Sequence, residues 1–250
     1  MFDLTGRKAL ITGSSQGIGE AVALAYAARG ADIVLHGLES VDVGDRVTRA
    51  VEALGRRAVY LSADLRDADA CAHLARDAGS AFGGIDILVS NAAVERPTPW
   101  REITTEQVSE QWALNFQASL LLSQALAPAM VERGWGRIIA MGSIQQARPN
   151  PQHLVYAATK SAQATLIGIL ARELGPSGVT ANSLAPGAIE TDRNAAVLAD
   201  PAYKARVLER IPAGRIGQVG DCTGAAVLLA SDEGGYINGE TLFVDGGWRA

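Results

Sequence analysis

Short, nearly continuous apolar runs alternate with longer amphipathic or alanine-rich stretches along this 250-residue chain. No other feature narrows its folds so far. Residues 8–12, 32–36, 58–62, 85–90, 137–141, 179–185 and 241–244 read as strands. Strands buried on both faces lose the usual polar alternation and appear as apolar runs. Residues 17–29, 43–54, 68–82, 105–133, 155–174 and 219–231 read as helices between them. Repeated β–α alternation predicts an α/β fold: a doubly wound parallel sheet of about seven strands, with helices on both faces. A hydrophobic content of 48% supplies the core. Nothing resembles a linker or an internal repeat, so residues 1–250 are read as a single domain.

The alternation slackens at residues 186–212, which open with Pro-Gly and carry a helical pattern only at 201–210. A segment this long between a strand and the next core helix is usually functional. It follows the carboxyl end of a strand, where α/β folds bind ligands. Residues 187–213 are therefore expected to form a substrate lid.

Directly after the first strand comes Thr12-Gly13-Ser14-Ser15-Gln16-Gly17-Ile18-Gly19. Glycines there let the backbone turn tightly and approach a pyrophosphate, and the following helix offers free N–H groups to it. The spacing is GxxxGxG, and dinucleotide binding is the expectation. Asp64-Leu65 after the third strand and Ser90-Asn91-Ala92-Ala93 at the end of the fourth would line the same cleft. An aspartate there can accept from an adenine amino group, and an asparagine can tie neighbouring strands.

Tyr156 and Lys160 stand four residues apart, on one face of the predicted helix 155–174, with Ser143 upstream. A phenol with its ordinary pKa of about 10 is a poor base at neutral pH. A nearby ammonium favours the phenolate, and a serine hydroxyl can hold a carbonyl or alcohol oxygen. Asn115 interrupts an apolar stretch of the predicted helix 105–133, where an unsatisfied amide is costly. It is read as ordering a water beside Lys160.

Together these motifs resemble the short-chain dehydrogenase/reductase family in its common form. The resemblance runs the whole chain, through Pro186-Gly187-Ala188-Ile189-Glu190-Thr191 to Val244-Asp245-Gly246-Gly247. It implies a Rossmann-like fold and hydride transfer between carbon 4 of a nicotinamide and a carbinol carbon, without a metal. Tyr156 would be the general acid/base, Ser143 would hold the substrate oxygen and Asn115 would position a relay water. Lys160 would bind the nicotinamide ribose and depress the Tyr156 pKa. Gly13, Ser15, Gln16, Gly17, Ile18, Gly19, Gly37, Leu38, Asp64, Leu65, Asn91, Ala92, Ala93, Pro186, Gly187, Ile189 and Thr191, with Tyr156 and Lys160, would complete the cofactor site. Ala93 stands where the family usually has glycine, which puts the local geometry of that strand end in question.

NAD and NADP differ by a phosphate that wants a cation nearby. After the second strand, His36-Gly37-Leu38-Glu39 has neither the acid at Gly37 common among NAD users nor the arginine at Leu38 common among NADP users, and Gln16 is not basic. His36 is the only close cation candidate and Glu39 would repel a phosphate, so NAD is favoured over NADP. The substrate should meet Ser143, Gln145 and Tyr156, with Val94, Glu95, Ile144, Gln146, Glu190 and Asn194 around it. Arg96, Arg148 or Arg193 would pair a carboxylate. This polar wall favours a sugar, a polyol or a sugar acid. A 3-oxoacyl reductase is the alternative enzyme, and a nicotinamide-binding sensor or scaffold is the alternative of another class.

A net charge of −5 without a basic stripe argues against nucleic acid as a partner. Cys71 and Cys222 and the three histidines match no metal spacing. No uncharged apolar stretch is long enough to span a bilayer, and no signal-peptide pattern opens the chain. A soluble cytoplasmic protein is expected, and the resemblance implies a homotetramer.

Overall fold

The computed structural model describes residues 1–250, apart from the side chain of Val41. The strands are β1 (Lys8–Ile11), β2 (Asp32–Gly37), β3 (Ala58–Ser62), β4 (Ile87–Ser90), β5 (Gly136–Met141), β6 (Val179–Pro186), β7 (Ile189–Glu190), β8 (Gly217–Gln218) and β9 (Thr241–Val244). Seven of them form one sheet in the order β3-β2-β1-β4-β5-β6-β9, and every neighbouring pair is parallel. The chain winds outward from β1 through β2 to β3, then returns to β4 and winds the other way. Between the carboxyl ends of β1 and β4 lies the switch point, where such sheets bind ligands.

The helices are α1 (Gly17–Ala27), α2 (Val41–Ala53), α3 (Ala68–Phe82), α4 (Thr105–Trp112), α5 (Ala118–Glu132), α6 (Leu154–Leu174), α7 (Asp192–Leu198), α8 (Pro201–Leu208) and α9 (Thr223–Ala230). Successive strand side chains point to opposite faces, and the apolar runs divide accordingly. Ala9, Ile11, Ile33, Leu35, Ile87 and Val89 join one core with Val22 and Tyr26 of α1, Val47 of α2 and Leu229 of α9. Leu10, Val34, Leu88, Ile138 and Ala140 join the opposite core with Leu74 of α3, Leu122 of α5 and Ile167 of α6. Both faces are covered, which is why the runs lack polar interruptions.

Local signals set the helix ends. Asp67 Oδ1 accepts from the Asp69 N–H at 2.9 Å at the start of α3, and Gly83 closes that helix at φ 73°. Thr104 and Gln107 form a reciprocal capping box on α4.

Two expectations need revision. The predicted helix 105–133 is continuous but contains a π-turn over Ala113–Gln117, between α4 and α5. The predicted helix 219–231 begins as a 3₁₀ turn, Val219–Cys222, before α9. Residues 151–177 are long and apolar enough to cross a bilayer by length and composition, but Lys160, Arg172 and Glu173 interrupt them, so no uncharged stretch of that length occurs there. That segment holds α6, which buries Tyr156, Lys160, Leu166 and Ile167 inside the protein, as a core helix does.

Residues 187–213 hold more structure than their sequence announces. Pro201 opens α8 as expected, but α7 precedes it and β7 pairs with β8. Leu198, Val207, Ile211 and Ile216 form a small core of their own, with Tyr203 and Trp248 packed against it.

Candidate active site

The glycine-rich turn leaves β1 and enters α1 at the switch point. Gly13 and Gly17 adopt φ of 62° and 63°, in the left-handed region that favours glycine. A Cβ at Gly19 would overlap the carbonyl of Gly13, so the helix can approach the turn only without one. Asn91 locks this geometry: its Nδ2 donates to the carbonyls of Thr12 and Gly13, both at 2.8 Å. Thr12 Oγ1 in return accepts from the N–H groups of Asn91 and Ala92 at 2.9 and 3.0 Å. The conformation of Ala93 is not left-handed, and its carbonyl accepts from Arg193 Nη2 at 2.9 Å.

The turn suits a pyrophosphate. Gln16 provides no side-chain cap to α1, which leaves first-turn N–H groups for an anion. Across the cleft, Thr191 Cγ2 lies 3.7 Å from the Cβ position of Gly17, so residues 187–213 start directly over the turn. Asn194 holds that end: Thr191 N–H donates to Asn194 Oδ1 at 2.9 Å, and Asn194 Nδ2 donates to the Ile189 carbonyl at 2.6 Å. Ile189 and Pro186 are buried at the base of this segment.

At the adenosine end, Asp64 is clasped by Arg66, whose Nε and Nη2 reach its carboxylate at 2.9 and 2.6 Å. That guanidinium holds the Asp64 carboxyl below the usual range, so it stays an acceptor. Leu65 is buried beneath it. His36 does not serve as a cation. Its Nδ1 accepts from the Gly13 N–H at 3.2 Å, and its Nε2 faces the Ala63 carbonyl at 3.1 Å. Burial lowers its pKa to about 4, so the ring is neutral and belongs to the scaffold of the turn.

The Ser–Tyr–Lys group lies between β5 and α6. Ser143 follows β5 and starts a 3₁₀ turn, its Oγ accepting from the Gln145 N–H at 3.2 Å. Lys160 is 1% exposed. Its Nζ donates to the Met141 carbonyl at 2.7 Å and to Gln163 Oε1 at 3.3 Å. Nζ lies 5.6 Å from the centre of the Tyr156 ring. Gln163, three residues on along the same helix, was missed by the sequence reading although helical spacing puts it beside Lys160.

Burial dominates the electrostatics. It pushes the Tyr156 phenol up to about 12, with Glu95 raising it further and Arg193 and a Ser143 hydrogen bond opposing. It also brings the Lys160 ammonium down to about 7, and Arg193 lowers it too. The expectation that the lysine charge alone brings the phenol toward neutrality is not met, because desolvation penalises both charged forms.

Asn115 is fully buried in the π-turn. Its Nδ2 donates to the Val94 carbonyl at 2.9 Å and to Thr159 Oγ1 at 3.1 Å, and its Oδ1 accepts from the Val94 N–H at 2.8 Å. Both amide hydrogens are thus committed to protein. The side chain ties the loop after β4 to α6 rather than offering a free donor to water.

The residues expected to form the substrate wall are placed differently from one another. Arg193 lies close enough to influence both Tyr156 and Lys160. Arg96 instead chelates Glu110 at 2.8 and 2.9 Å, whereas Arg148 and Arg193 each donate through Nη2 to one backbone carbonyl, of Arg249 and of Ala93, both at 2.9 Å. Gln145 Oε1 accepts from the Asn150 N–H at 2.7 Å. Glu95, named only as part of the wall, pairs with His153 Nε2 at 3.1 Å and acts on Tyr156 from the side opposite in sign to Arg193.

A family model described as enoyl-(acyl carrier protein) reductase matches residues 13–249. Gluconate 5-dehydrogenase of Gluconobacter oxydans is 36% identical over 251 residues, covering 99% of this chain and 96% of that one. The 3-oxoacyl-[acyl-carrier-protein] reductase of Escherichia coli is 36% identical over 246 residues, covering 98% of each. The crystal structure of a gluconate 5-dehydrogenase from Burkholderia cenocepacia, in complex with NADP and tartrate, superposes with a TM-score of 0.94. It is 36% identical and covers 99% of this chain and 96% of that one.

The fold, the cleft and these relatives define an NAD(P)-dependent oxidoreductase that acts on CH–OH or C=O groups. The chain belongs to the short-chain dehydrogenase/reductase family.

Proposed function

We propose that this chain interconverts a hydroxyl and a carbonyl group on a sugar acid. Identity alone does not choose the substrate, since a gluconate dehydrogenase and an acyl reductase are equally similar at 36%. The observation that carries the choice is Arg193, a cation from residues 187–213 whose charge reaches the buried Tyr156. A carboxylate on the substrate would find its partner there, one side chain away from the reacting carbon. Glu95, His153 and Gln145 would offer polar groups to substrate hydroxyls, unlike the apolar lining that long acyl chains need.

In this reading Tyr156 moves the proton. It takes the proton of the substrate hydroxyl during oxidation and returns it during reduction, while Ser143 holds the substrate oxygen. Lys160, anchored by Met141 and Gln163, lies where its charged form favours the phenolate. When bound, the nicotinamide supplies the hydride acceptor or donor. Gly13 to Gly19 would hold its pyrophosphate, Asn91 and Asp64 its adenosine side, and Ile189 and Thr191 its carboxamide end. Residues 187–213 act as the lid of a single catalytic domain spanning residues 1–250.

The test is the absorbance change at 340 nm with gluconate and other aldonates, neutral polyols and an acetoacetyl thioester. Turnover of aldonates above all others is expected, and activity confined to the thioester would overturn the reading. A homotetramer in the cytoplasm completes the proposal. The exposed Val108 and Trp112 on α4 offer apolar surface for subunit contacts, and both cysteines are free and buried, which suits a reducing compartment. Light scattering on the purified chain tests the assembly.

A further inference from the structure

From Lys160 a seam of buried polar groups crosses from α6 to α5. Gln163 accepts from Lys160 Nζ through its Oε1 at 3.3 Å and donates through Nε2 to Ser119 Oγ of α5 at 2.7 Å. One turn further along α5, Ser123 Oγ donates to the Ser119 carbonyl at 2.7 Å. Gln163, Ser119 and Ser123 are all buried, while Ala118, Leu122 and Ile167 of the same two helices belong to the apolar core. An amide in such a core is costly unless both its ends are satisfied. Here both are, and one partner is the lysine of the site.

The direction of that amide matters. An ammonium has three N–H donors and no acceptor. Two of them are met inside the protein, by the Met141 carbonyl at 2.7 Å and by Gln163. Turned round, the amide would set its NH₂ against the ammonium and leave Ser119 Oγ without its present donor. An acceptor fixed in that place favours the charged lysine over the neutral amine.

The charge of Lys160 is contested from several sides. Burial most of all, and then Arg193 of α7, bring the ammonium down to about 7, and Glu95 in the loop after β4 opposes them. Glu95 is itself shared with His153. From α6 the Tyr156 ring faces the lysine, its centre 5.6 Å from Nζ. The contributions of β5 and α5, the Met141 carbonyl and the Ser119 hydroxyl, are neutral.

We propose that Gln163 is a positioning residue of the reaction: its amide oxygen, set in direction by Ser119, keeps Lys160 charged and aimed at Tyr156. Among the described residues its side chain bonds to Lys160 and Ser119 alone, so it acts through the lysine. The role rests on the proton transfer assigned above to Tyr156 and not on the sugar-acid substrate.

The chain has three lysines, Lys8, Lys160 and Lys204. Labelling lysine Cε with carbon-13 therefore gives few enough NMR signals to titrate Lys160 directly, once its signal is assigned by its loss in Lys160→Arg. The wild-type midpoint is expected near 7. Gln163→Leu should lower it by about one pH unit or more, the loss of a hydrogen bond to a charged group. Ser119→Ala should lower it by less, and Gln163→Glu should raise it above the wild type. With gluconate as the probe, oxidation by Gln163→Leu relative to wild type should fall about fivefold between pH 6 and pH 8, as the variant loses its charge first. A merely structural defect would lower that ratio equally at every pH.

A midpoint unmoved in Gln163→Leu overturns the proposal; if that variant does not fold, an unmoved midpoint in Gln163→Glu and Ser119→Ala does so. A shifted midpoint with a turnover ratio flat in pH would overturn the role in the reaction. A wild type inert toward gluconate would overturn the substrate reading alone, since the titration needs no substrate. Full turnover in Tyr156→Phe would overturn the Tyr156 reading and leave the titration result standing.

Discussion

The Lys160 ammonium donates to the carbonyl of Met141 at 2.7 Å, joining α6 to the carboxyl end of β5 just before Ser143. This bond and the one to Gln163 are what hold a lysine in a site where it is 1% exposed. The position costs stability, and that cost is measurable.

Lys160→Met should show it through pH. The folded-state pKa of Lys160 is about 7, below its ordinary 10.5. Between those values the unfolded chain binds the extra proton, so wild-type stability rises with pH across that window. Below pH 7 the penalty is fully present. The methionine variant, inactive or nearly so, should melt above the wild type at pH 6, and the gap should narrow toward pH 10. Scanning calorimetry across that range checks it, and a gap independent of pH would contradict the assignment.

Tyr156→Phe removes the proton carrier and keeps the ring. Turnover should fall at least about 10²-fold, with cofactor binding unchanged by titration. Unchanged turnover would remove the phenol from the chemistry, and persistent cofactor binding with no activity in the wild type either would favour a sensor.

The pH profile of oxidation follows from the Tyr156 phenol, raised to about 12 mainly by burial. Oxidation uses the deprotonated phenol, so kcat/KM in that direction should climb from pH 7 to pH 10, approaching tenfold per unit. Carbonyl reduction uses the protonated phenol and should stay nearly flat over the same range. Initial rates in both directions test the asymmetry.

Arg193→Gln should separate binding of the carboxylate from chemistry. KM for a sugar acid is expected to rise about tenfold or more, with little change for a neutral polyol. Equal effects on both would deny Arg193 its carboxylate.

Asn115→Leu leaves the Val94 N–H and carbonyl without their present partners. Each unsatisfied buried group costs about 1–3 kcal/mol, so urea unfolding should show a loss of at least about 2 kcal/mol. A loss within error would mean that the loop re-forms its bonds elsewhere.

Much of this was legible in the sequence because it depends on local patterns. Helix α3 (Ala68–Phe82) and strand β9 (Thr241–Val244) coincide with their sequence readings, since a cap, a terminal glycine and an apolar run are all short-range signals. The helical spacing of Tyr156 and Lys160 and the glycines between β1 and α1 were visible for the same reason. What the tertiary structure decided arises between residues far apart in the chain. The π-turn at Asn115 follows from partners at Val94 and Thr159, 21 and 44 residues away. The bonds that Arg96 and Arg148 make depend on Glu110 and on the chain end at Arg249. The neutrality of His36 and the raised phenol of Tyr156 depend on burial, which no spacing of residue types encodes. Glu39 fills the place beside Gly37 because Tyr60, from the next strand, and Ser15, from the preceding turn, converge on it. Residue type and spacing set which elements form and which chemistry is on hand; packing sets which charges survive and where they point.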